Sequence, residues 1–283
     1  MPYTNNSWKS DLFSGKVVLV TGGAGTICRQ QTEALIQLGA NAAIIGRNVS
    51  KTENAAKEMS SIRPGAKVIG LGGVDVRNVN DLVKAVERTV QELGKVDLVI
   101  CGAAGNFLAD VNHLSSNAFK TVVDIDLLGS YNTIKACYEQ LVKNKGSVIF
   151  VSATLHYYGL PFQAHVSAAK AGIDALNQVL AVELGPVGVR FNVIAPGAIG
   201  GTEGFDRLNR ESIDAIKARI PLQRLGTTSD IADATVFLFS PAGDYITGTI
   251  TVVDGGLWHT GNGGFNSKYP EDVKKLALAK PKL

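Results

Sequence analysis

Short apolar runs alternate with longer amphipathic stretches along this chain of 283 residues. Seven of the runs have the length and β-branched character of strands, and few polar residues interrupt them. These runs are Val17–Val20, Ala42–Ile45, Val68–Leu71, Leu98–Cys101, Val148–Val151, Phe191–Ile194 and Ile250–Val253. Apolar strands without polar alternation are typical of a parallel sheet that is covered on both faces. The pattern therefore predicts a seven-stranded parallel sheet in the interior.

The amphipathic stretches between the strands predict the crossover helices that parallel strands require. They are Gln30–Leu38, Val79–Leu93, Ala118–Lys143, Ala168–Leu184 and Ser229–Phe239. We therefore expect an α/β fold of three layers, a Rossmann-type doubly wound sheet, in a single domain over residues 1–283. Residues 200–220 mix glycine with charge between two strands and predict a mobile flap over the substrate.

The composition favours small-molecule partners. The net charge is only +3, and the Lys and Arg residues are dispersed, which indicates neither a nucleic-acid groove nor a membrane-surface helix. Cys28, Cys101 and Cys137 have no metal-binding spacing, so we expect no metal. No apolar stretch approaches the roughly 20 residues that span a bilayer.

A glycine-rich loop, Thr21-Gly22-Gly23-Ala24-Gly25-Thr26-Ile27-Cys28, follows the first predicted strand. In doubly wound sheets ligands bind beyond the carboxyl ends of the strands, and glycines let a pyrophosphate approach the N–H groups of a helix start. The loop is a simple turn on one interpretation. The strand, helix and second strand around it favour a dinucleotide site instead, formed by Gly22, Gly23, Gly25, Thr26 and Ile27.

Arg47 follows the second strand, where an enzyme that binds NAD would place an acidic residue on the adenine ribose. A guanidinium binds a 2′-phosphate in a bidentate manner. Arg47 therefore predicts NADP(H) as the cofactor, the alternative being an Arg that only lies on the surface.

Four further segments come after the later strands: Ala103-Ala104-Gly105-Asn106-Phe107, Val151-Ser152-Ala153-Thr154, Asn192–Ile199 and Val253-Asp254-Gly255-Gly256. Together with the glycine loop, they resemble the short-chain dehydrogenase/reductase family across most of the chain. The resemblance implies that Lys170 grips the nicotinamide ribose and that the cofactor also contacts Asp75, Pro196, Gly197, Ile199 and Thr202. Asp75 has a second interpretation as a helix cap.

The chain departs from the family pattern at four positions. Thr26 and Cys28 occupy the last two glycine positions of the family's Thr-Gly-x-x-x-Gly-x-Gly loop, and Gly102 replaces an Asn. Val166 stands four residues before Lys170, where the family has the Tyr that gives or takes a proton on a carbonyl or alcohol oxygen. The chain therefore resembles a hydride-transfer enzyme that does not protonate an alkoxide.

Within the family, Gly105-Asn106-Phe107, Val74-Asp75-Val76-Arg77 and Gly201–Leu208 are similar to the 2,4-dienoyl-CoA reductases, especially the peroxisomal form found in fungi. This similarity implies NADPH-dependent reduction of 2,4-dienoyl-CoA to 3-enoyl-CoA in the β-oxidation of unsaturated fatty acids. It implies substrate contacts from Arg77, Phe107, Ser115, Ser152 and Arg207. For the Arg residues the alternative is surface solvation.

Reduction of a conjugated thioester explains the missing Tyr, because the proton is added to carbon and no alkoxide forms. Asn106 is predicted to donate to the developing oxyanion, unless its amide only stabilises a turn. Asp126 stands where many family members have an Asn near Lys170; it is predicted to supply the proton, or to form a buried ion pair with that lysine. Tyr157 is a second candidate acid, or a pocket wall.

Two other functions remain open. One is a 3-oxoacyl-type carbonyl reductase in which Tyr157 or His165 replaces the missing acid, and the other is a cofactor-binding sensor without chemistry. Family habit implies a homodimer or homotetramer. The tail, residues 259–283, ends in Pro281-Lys282-Leu283, close to the Ser-Lys-Leu signal that the peroxisomal import receptor binds, so we expect a peroxisomal location.

Overall fold

Seven parallel strands form one sheet in the computed structural model, which describes residues 7–209 and 211–260. They are β1 (Val17–Thr21), β2 (Asn41–Gly46), β3 (Val68–Gly72), β4 (Leu98–Cys101), β5 (Ser147–Val151), β6 (Arg190–Pro196) and β7 (Ile250–Val253). Their order across the sheet is β3-β2-β1-β4-β5-β6-β7, so the order reverses between β1 and β4. The predicted doubly wound sheet is confirmed, and a ligand crevice is expected at the carboxyl ends beside the reversal.

Helices cover both faces of this sheet. They are α1 (Thr26–Gln37), α2 (Val49–Ser60), α3 (Val79–Leu93), α4 (Ser116–Val123), α5 (Gly129–Asn144), α6 (Leu155–Tyr158), α7 (Ala164–Leu184), α8 (Glu203–Leu208), α9 (Ile213–Arg219), α10 (Thr228–Phe239) and α11 (Leu257–Thr260). Because side chains alternate along a strand, Leu19 packs into the core beneath α3, α5 and α7. Its neighbours Val18 and Val20 pack into the other core, beneath α1, α2 and α10.

The structure corrects several helix boundaries. The pattern of apolar residues did not predict α2, which begins after Asn48, whose side chain accepts a hydrogen bond from the backbone N–H of Lys51 at 2.9 Å. Helix α1 begins at Thr26 rather than at Gln30, and α7 begins at Ala164 rather than at Ala168. The predicted flap, residues 200–220, contains α8 and α9.

The predicted helix Ala118–Lys143 is a continuous helix with a wider turn inside it. Helix α4 passes into α5 through a π-helical turn, Asp124–Leu128. Such turns insert an extra residue into a helix and are frequent at functional sites. This one buries Ile125 and Asp126.

Within residues 7–209 and 211–260 no helix is long and apolar enough to cross a membrane. The same residues contain no group of three or more His, Cys, Asp or Glu that could hold a metal ion. The predicted signal Pro281-Lys282-Leu283 lies outside the described residues.

Candidate active site

A cavity of about 770 Å³ lies at the carboxyl ends of β1, β4, β5 and β6. Its walls come from the glycine loop, the segments after β4 and β5, the first turns of α7, and the chain that follows β6. The predicted cofactor residues that line it are Gly22, Gly25, Thr26, Ile27, Lys170, Pro196, Gly197, Ile199 and Thr202. Gly23, Arg47 and Asp75 do not line it.

The glycine loop brings backbone N–H groups to this cavity. Gly22 has a φ of +69°, a conformation that strains other residues, and a Cβ on Gly23 would lie 2.6 Å from the Cβ of Ile44 in β2. Helix α1 follows Gly25 without a side-chain cap, so the N–H groups of its first turn are open to an anion. The loop and the start of α1 fit the pyrophosphate of a nicotinamide dinucleotide.

Two departures from the family pattern, Cys28 and Gly102, compensate each other. The Sγ of Cys28 fills the space that a Cβ on residue 102 would need. A larger residue at position 102 therefore requires Cys28 or the backbone to shift. Burial raises the pKa of the Cys28 thiol to about 12, so this cysteine is a neutral packing group.

Charged side chains after β2 and β3 lie outside the cavity lining. Arg77 donates to Asp75 through Nε, 3.0 Å from Oδ1, and through Nη2, 2.6 Å from Oδ2. These hydrogen bonds lower the pKa of Asp75, and the charge of Arg47 adds a smaller lowering effect. Arg47 is exposed directly after β2. Its guanidinium is accessible to a phosphate, whereas Arg77 is engaged with Asp75.

The π-helical turn places Asp126 against Lys170. Asp126 is fully buried; its Oδ1 accepts a hydrogen bond from the backbone N–H of Gly105 at 2.7 Å, and its Oδ2 lies 3.2 Å from Nζ of Lys170. Lys170 also donates to the carbonyl of Val151 at 2.9 Å. Both ionisable side chains line the cavity. The geometry is compatible with both predictions for Asp126, an ion pair and a proton source.

Val166 occupies the cavity wall one helical turn before Lys170. An aliphatic side chain at this position offers no proton to a substrate oxygen. The hydroxyl of Ser152, the residue that the family pattern assigns to the substrate carbonyl, also lines the cavity. Its buried Oγ has no hydrogen-bond partner among the described residues.

Tyr157 does not line the cavity. Its hydroxyl donates to Oδ2 of Asp174 at 2.9 Å, and Nε2 of His156 lies 2.7 Å from the same oxygen. Burial, followed by the neighbouring carboxylate, raises the pKa of Tyr157. This geometry does not support the prediction that Tyr157 is the acid. The neighbouring Tyr158 lines the cavity instead.

The amide side chains of Asn106 and Gln163 are among those that line the cavity. Oδ1 of Asn106 and Oε1 of Gln163 are buried and have no hydrogen-bond partner in the part of the chain that the structure describes. The backbone N–H of Ala109 donates to the carbonyl of Phe162 at 3.1 Å, which joins the two segments that carry these amides. Gln163 was missed from the sequence because the predicted helix began five residues after it.

The ring of Phe107 packs on the ring of His165, with 4.3 Å between the ring centroids. His165 is fully buried. Burial lowers the pKa of His165, which favours the neutral ring. Phe107 itself does not line the cavity.

Arg207 in α8 lines the cavity, as does Ser152, and both were predicted to contact the substrate. Helix α8 begins after Thr202, whose Oγ1 accepts a hydrogen bond from the backbone N–H of Phe205 at 3.1 Å. An ion pair of 2.8 Å between Lys51 and Glu203 links α8 to α2. The predicted flap is thus connected to the cofactor side of the molecule.

Ser115 lies outside the cavity lining. It caps α4, with its Oγ accepting a hydrogen bond from the backbone N–H of Ala118 at 3.1 Å. Of the predicted substrate residues, Arg77, Phe107 and Ser115 are therefore not brought to the cavity wall in this structure.

A doubly wound sheet, a glycine loop at a helix start and a buried lysine at the strand ends define a dinucleotide-dependent oxidoreductase of the short-chain type. Residues 22–258 match the family described as enoyl-(acyl carrier protein) reductase. The crystal structure of a short chain dehydrogenase from Bacillus anthracis is similar, with a TM-score of 0.77 and 34% sequence identity, over 86% of this chain and 97% of that one.

Curated relatives are more similar in sequence. The peroxisomal 2,4-dienoyl-CoA reductase SPS19 of Saccharomyces cerevisiae is 58% identical over 98% of this chain and 96% of its own length. The peroxisomal 2,4-dienoyl-CoA reductase of Danio rerio is 43% identical over 89% of this chain and 85% of its own. The chain belongs to the short-chain dehydrogenase/reductase family, in the branch that contains these enzymes. It is an oxidoreductase with a nicotinamide cofactor.

Proposed function

We propose that the protein uses NADPH to reduce 2,4-dienoyl-CoA to 3-enoyl-CoA in the oxidation of unsaturated fatty acids. The observation that carries this proposal is Val166 in the cavity wall, at the position of the family's proton donor, with the Asp126–Lys170 pair nearby. An enzyme that reduces a ketone or aldehyde needs an acid at that position. The relative that is 58% identical is named for production of (3E)-enoyl-CoA.

The reaction places different demands on the cavity from those of carbonyl reduction. Hydride is added to the far end of the diene, the two double bonds shift, and negative charge collects on the thioester oxygen. A proton is then added to a carbon next to the thioester, which leaves the 3-enoyl product. The protein must therefore stabilise an oxyanion at one place and supply a proton at another.

The residues in the cavity can divide these tasks. Asn106 offers an amide donor for the oxyanion. Asp126, with Lys170 beside it, is the group that gives the proton to carbon, directly or through water. We assign this step to Asp126 and not to Tyr157, because the Tyr157 hydroxyl is bonded to Asp174 outside the cavity lining.

NADP(H) is the proposed form of the cofactor, which supplies the hydride. The start of α1 would hold its pyrophosphate and Lys170 its nicotinamide ribose. Arg47 would hold the 2′-phosphate, because it is exposed at the end of β2, where an acidic residue would repel that group. Arg77 donates a hydrogen bond to the carboxylate of Asp75, which would weaken the repulsion between that carboxylate and the phosphate.

The remaining proposals concern binding of the CoA part of the substrate, the location of the protein in the cell and its assembly. Arg207, at the cavity wall, is the proposed contact for a phosphate of CoA, with Arg77 and Ser115 as further contacts that require rearrangement. Several relatives are named as peroxisomal, which supports a peroxisomal location and import through Pro281-Lys282-Leu283. A homodimer or homotetramer remains the proposed assembly.

The test is oxidation of NADPH by the purified protein with 2,4-hexadienoyl-CoA, compared with a 3-oxoacyl-CoA of similar length. Turnover of the dienoyl-CoA and formation of a 3-enoyl product are expected. Turnover of the 3-oxoacyl-CoA alone would instead identify a carbonyl reductase. Binding of NADPH without turnover of either compound would indicate a sensor.

A further inference from the structure

Gln163 is a buried amide that the reaction as described so far does not use. Only 2% of the residue is exposed, yet it lines the cavity, and its Oε1 has no hydrogen-bond partner among the described residues. Gln163 precedes α7 in the capping position, but its side chain does not cap the helix. A buried amide oxygen without a partner is costly, and a turn of the amide by about 180° places its NH₂ donor at the same point of the cavity wall. Such a group is expected where a ligand completes its bonding.

Gln163 lies three residues before Val166, the position at which the family has its proton donor. Gln163 stands at the N-cap position of α7, and Lys170 follows Val166 by four residues, so the three side chains lie along one side of the helix start, and all three line the cavity. Three residues rise about 4.5 Å along a helix. Gln163 therefore lies about one turn farther than Val166 from the lysine that is proposed to hold the nicotinamide ribose.

A displacement of similar length separates the carbonyl oxygen of a ketone from that of a 2,4-dienoyl thioester. In a ketone the oxygen is bonded to the carbon that accepts hydride. In a 2,4-dienoyl thioester five bonds separate the oxygen from the accepting carbon, which is roughly 5 to 6 Å in an extended chain. If both carbons meet the nicotinamide at the same place, the thioester oxygen lies about one helical turn beyond the position of the ketone oxygen.

We propose that the side-chain amide of Gln163 donates a hydrogen bond to the thioester oxygen of the dienoyl-CoA and stabilises the dienolate. The inference rests on the proposed function. In this chain the hydrogen-bond donor on the substrate oxygen stands at position 163, immediately before α7, rather than at position 166. Gln163 is thus a catalytic residue and helps to select conjugated thioesters over ketones.

Asn106 is the second donor to the same oxygen. Its Oδ1 is buried without a partner, as the Oε1 of Gln163 is, and both amides line the cavity. The hydrogen bond from Ala109 to Phe162 and the packing of Phe107 on His165 hold the two segments together. Two amides that the fold holds beside each other are a suitable arrangement for an oxyanion, because donors already in place need little reorganisation when the charge develops.

The test replaces Gln163 by Met, which keeps the length of the side chain and removes the donor. The matched control is Gln178→Met, at an exposed position on the same helix. For Gln163→Met we expect kcat with 2,4-hexadienoyl-CoA to fall about 10² to 10³-fold. The KM for the acyl-CoA should change little, since the bond strengthens mainly in the transition state. The Kd for NADPH and the activity of Gln178→Met should be unchanged.

A spectroscopic measurement without turnover separates a donor from a packing role. Hydrogen bonds to the thioester oxygen polarise the conjugated chain, so 2,4-hexadienoyl-CoA bound to the protein with NADP⁺ should absorb at longer wavelength than the free compound. Gln163→Met should lose a large part of that shift, and Gln178→Met should keep it. A full shift and a wild-type kcat in Gln163→Met would overturn the assignment while the proposed function stands. Absence of dienoyl-CoA turnover in the wild-type protein would overturn both.

Discussion

The cofactor side and the substrate side of the cavity satisfy their polar groups in different ways. Around the glycine loop the chain supplies the partners: Oγ1 of Thr21 accepts from the backbone N–H groups of Gly102 and Ala103, at 3.2 and 3.3 Å. On the substrate side the buried polar atoms without partners among the described residues include Oδ1 of Asn106, Oγ of Ser152 and Oε1 of Gln163. The open groups of the cofactor side are backbone N–H groups at the start of α1, whereas those of the substrate side belong to side chains.

This difference indicates how specificity is distributed. A pyrophosphate is bound by backbone N–H groups, so the cofactor side needs glycines and close packing more than particular side chains. The substrate side carries side-chain donors and acceptors that a ligand must satisfy, and a ligand that lacks the matching groups leaves them unpaired. We therefore expect substitutions on the substrate side to reduce kcat, and substitutions on the cofactor side to change cofactor affinity or stability.

The largest expected effect is that of Asp126→Asn on the substrate side. The amide keeps an oxygen for the hydrogen bond from Gly105 but supplies no proton to carbon. The kcat for dienoyl-CoA should fall about 10² to 10⁴-fold. Steady-state kinetics measure this kcat. Titration of NADPH fluorescence measures the Kd for NADPH, which should not change. The control is Asp124→Asn, two residues earlier in the chain, where the side chain pairs with Lys120. Wild-type turnover in Asp126→Asn would mean that another group supplies the proton.

A smaller effect is expected from Arg47→Asp on the cofactor side. The substitution removes the proposed contact to the 2′-phosphate and adds repulsion, and such charge-assisted bonds contribute about 1.5 to 3 kcal/mol. The kcat/KM for NADPH should fall roughly 10 to 100-fold, and that for NADH should rise. Arg88→Asp, which alters an exposed residue of α3, serves as the control. An unchanged ratio of the two cofactors would remove Arg47 from the site.

The smallest effect is expected from Gly102→Ala, which probes the packing of the cofactor side. The added Cβ would overlap Sγ of Cys28, and overpacking of this kind costs about 1 to 3 kcal/mol. Urea denaturation should show this loss, and Cys28→Ala in the same chain should recover part of it. Gly185→Ala, where a Cβ meets no atom within 4 Å, is the control. Strictly additive effects of the substitutions at positions 28 and 102 would argue against the compensation.

The strands were the most predictable part of the fold. The predicted bounds Leu98–Cys101 and Ile250–Val253 are those of β4 and β7, because buried parallel strands are apolar runs that end abruptly at polar loops. The first turns of α1 and α7 were not predicted, because glycines and polar residues that face a ligand interrupt the apolar pattern of a helix. Gln163 was missed for this reason.

The sequence by itself determined the sheet, the glycine loop at the start of α1 and the absence of a hydroxyl at Val166, since each is a property of neighbouring residues along the chain. Only the tertiary structure decided that Asp126 faces Lys170, that Tyr157 bonds to Asp174 outside the cavity lining, and that Cys28 and Gly102 share one space. The physical reason is that these contacts join residues from different elements. A π-helical turn and close packing set the distances between these residues, and neither produces a periodic pattern of apolar residues in the sequence.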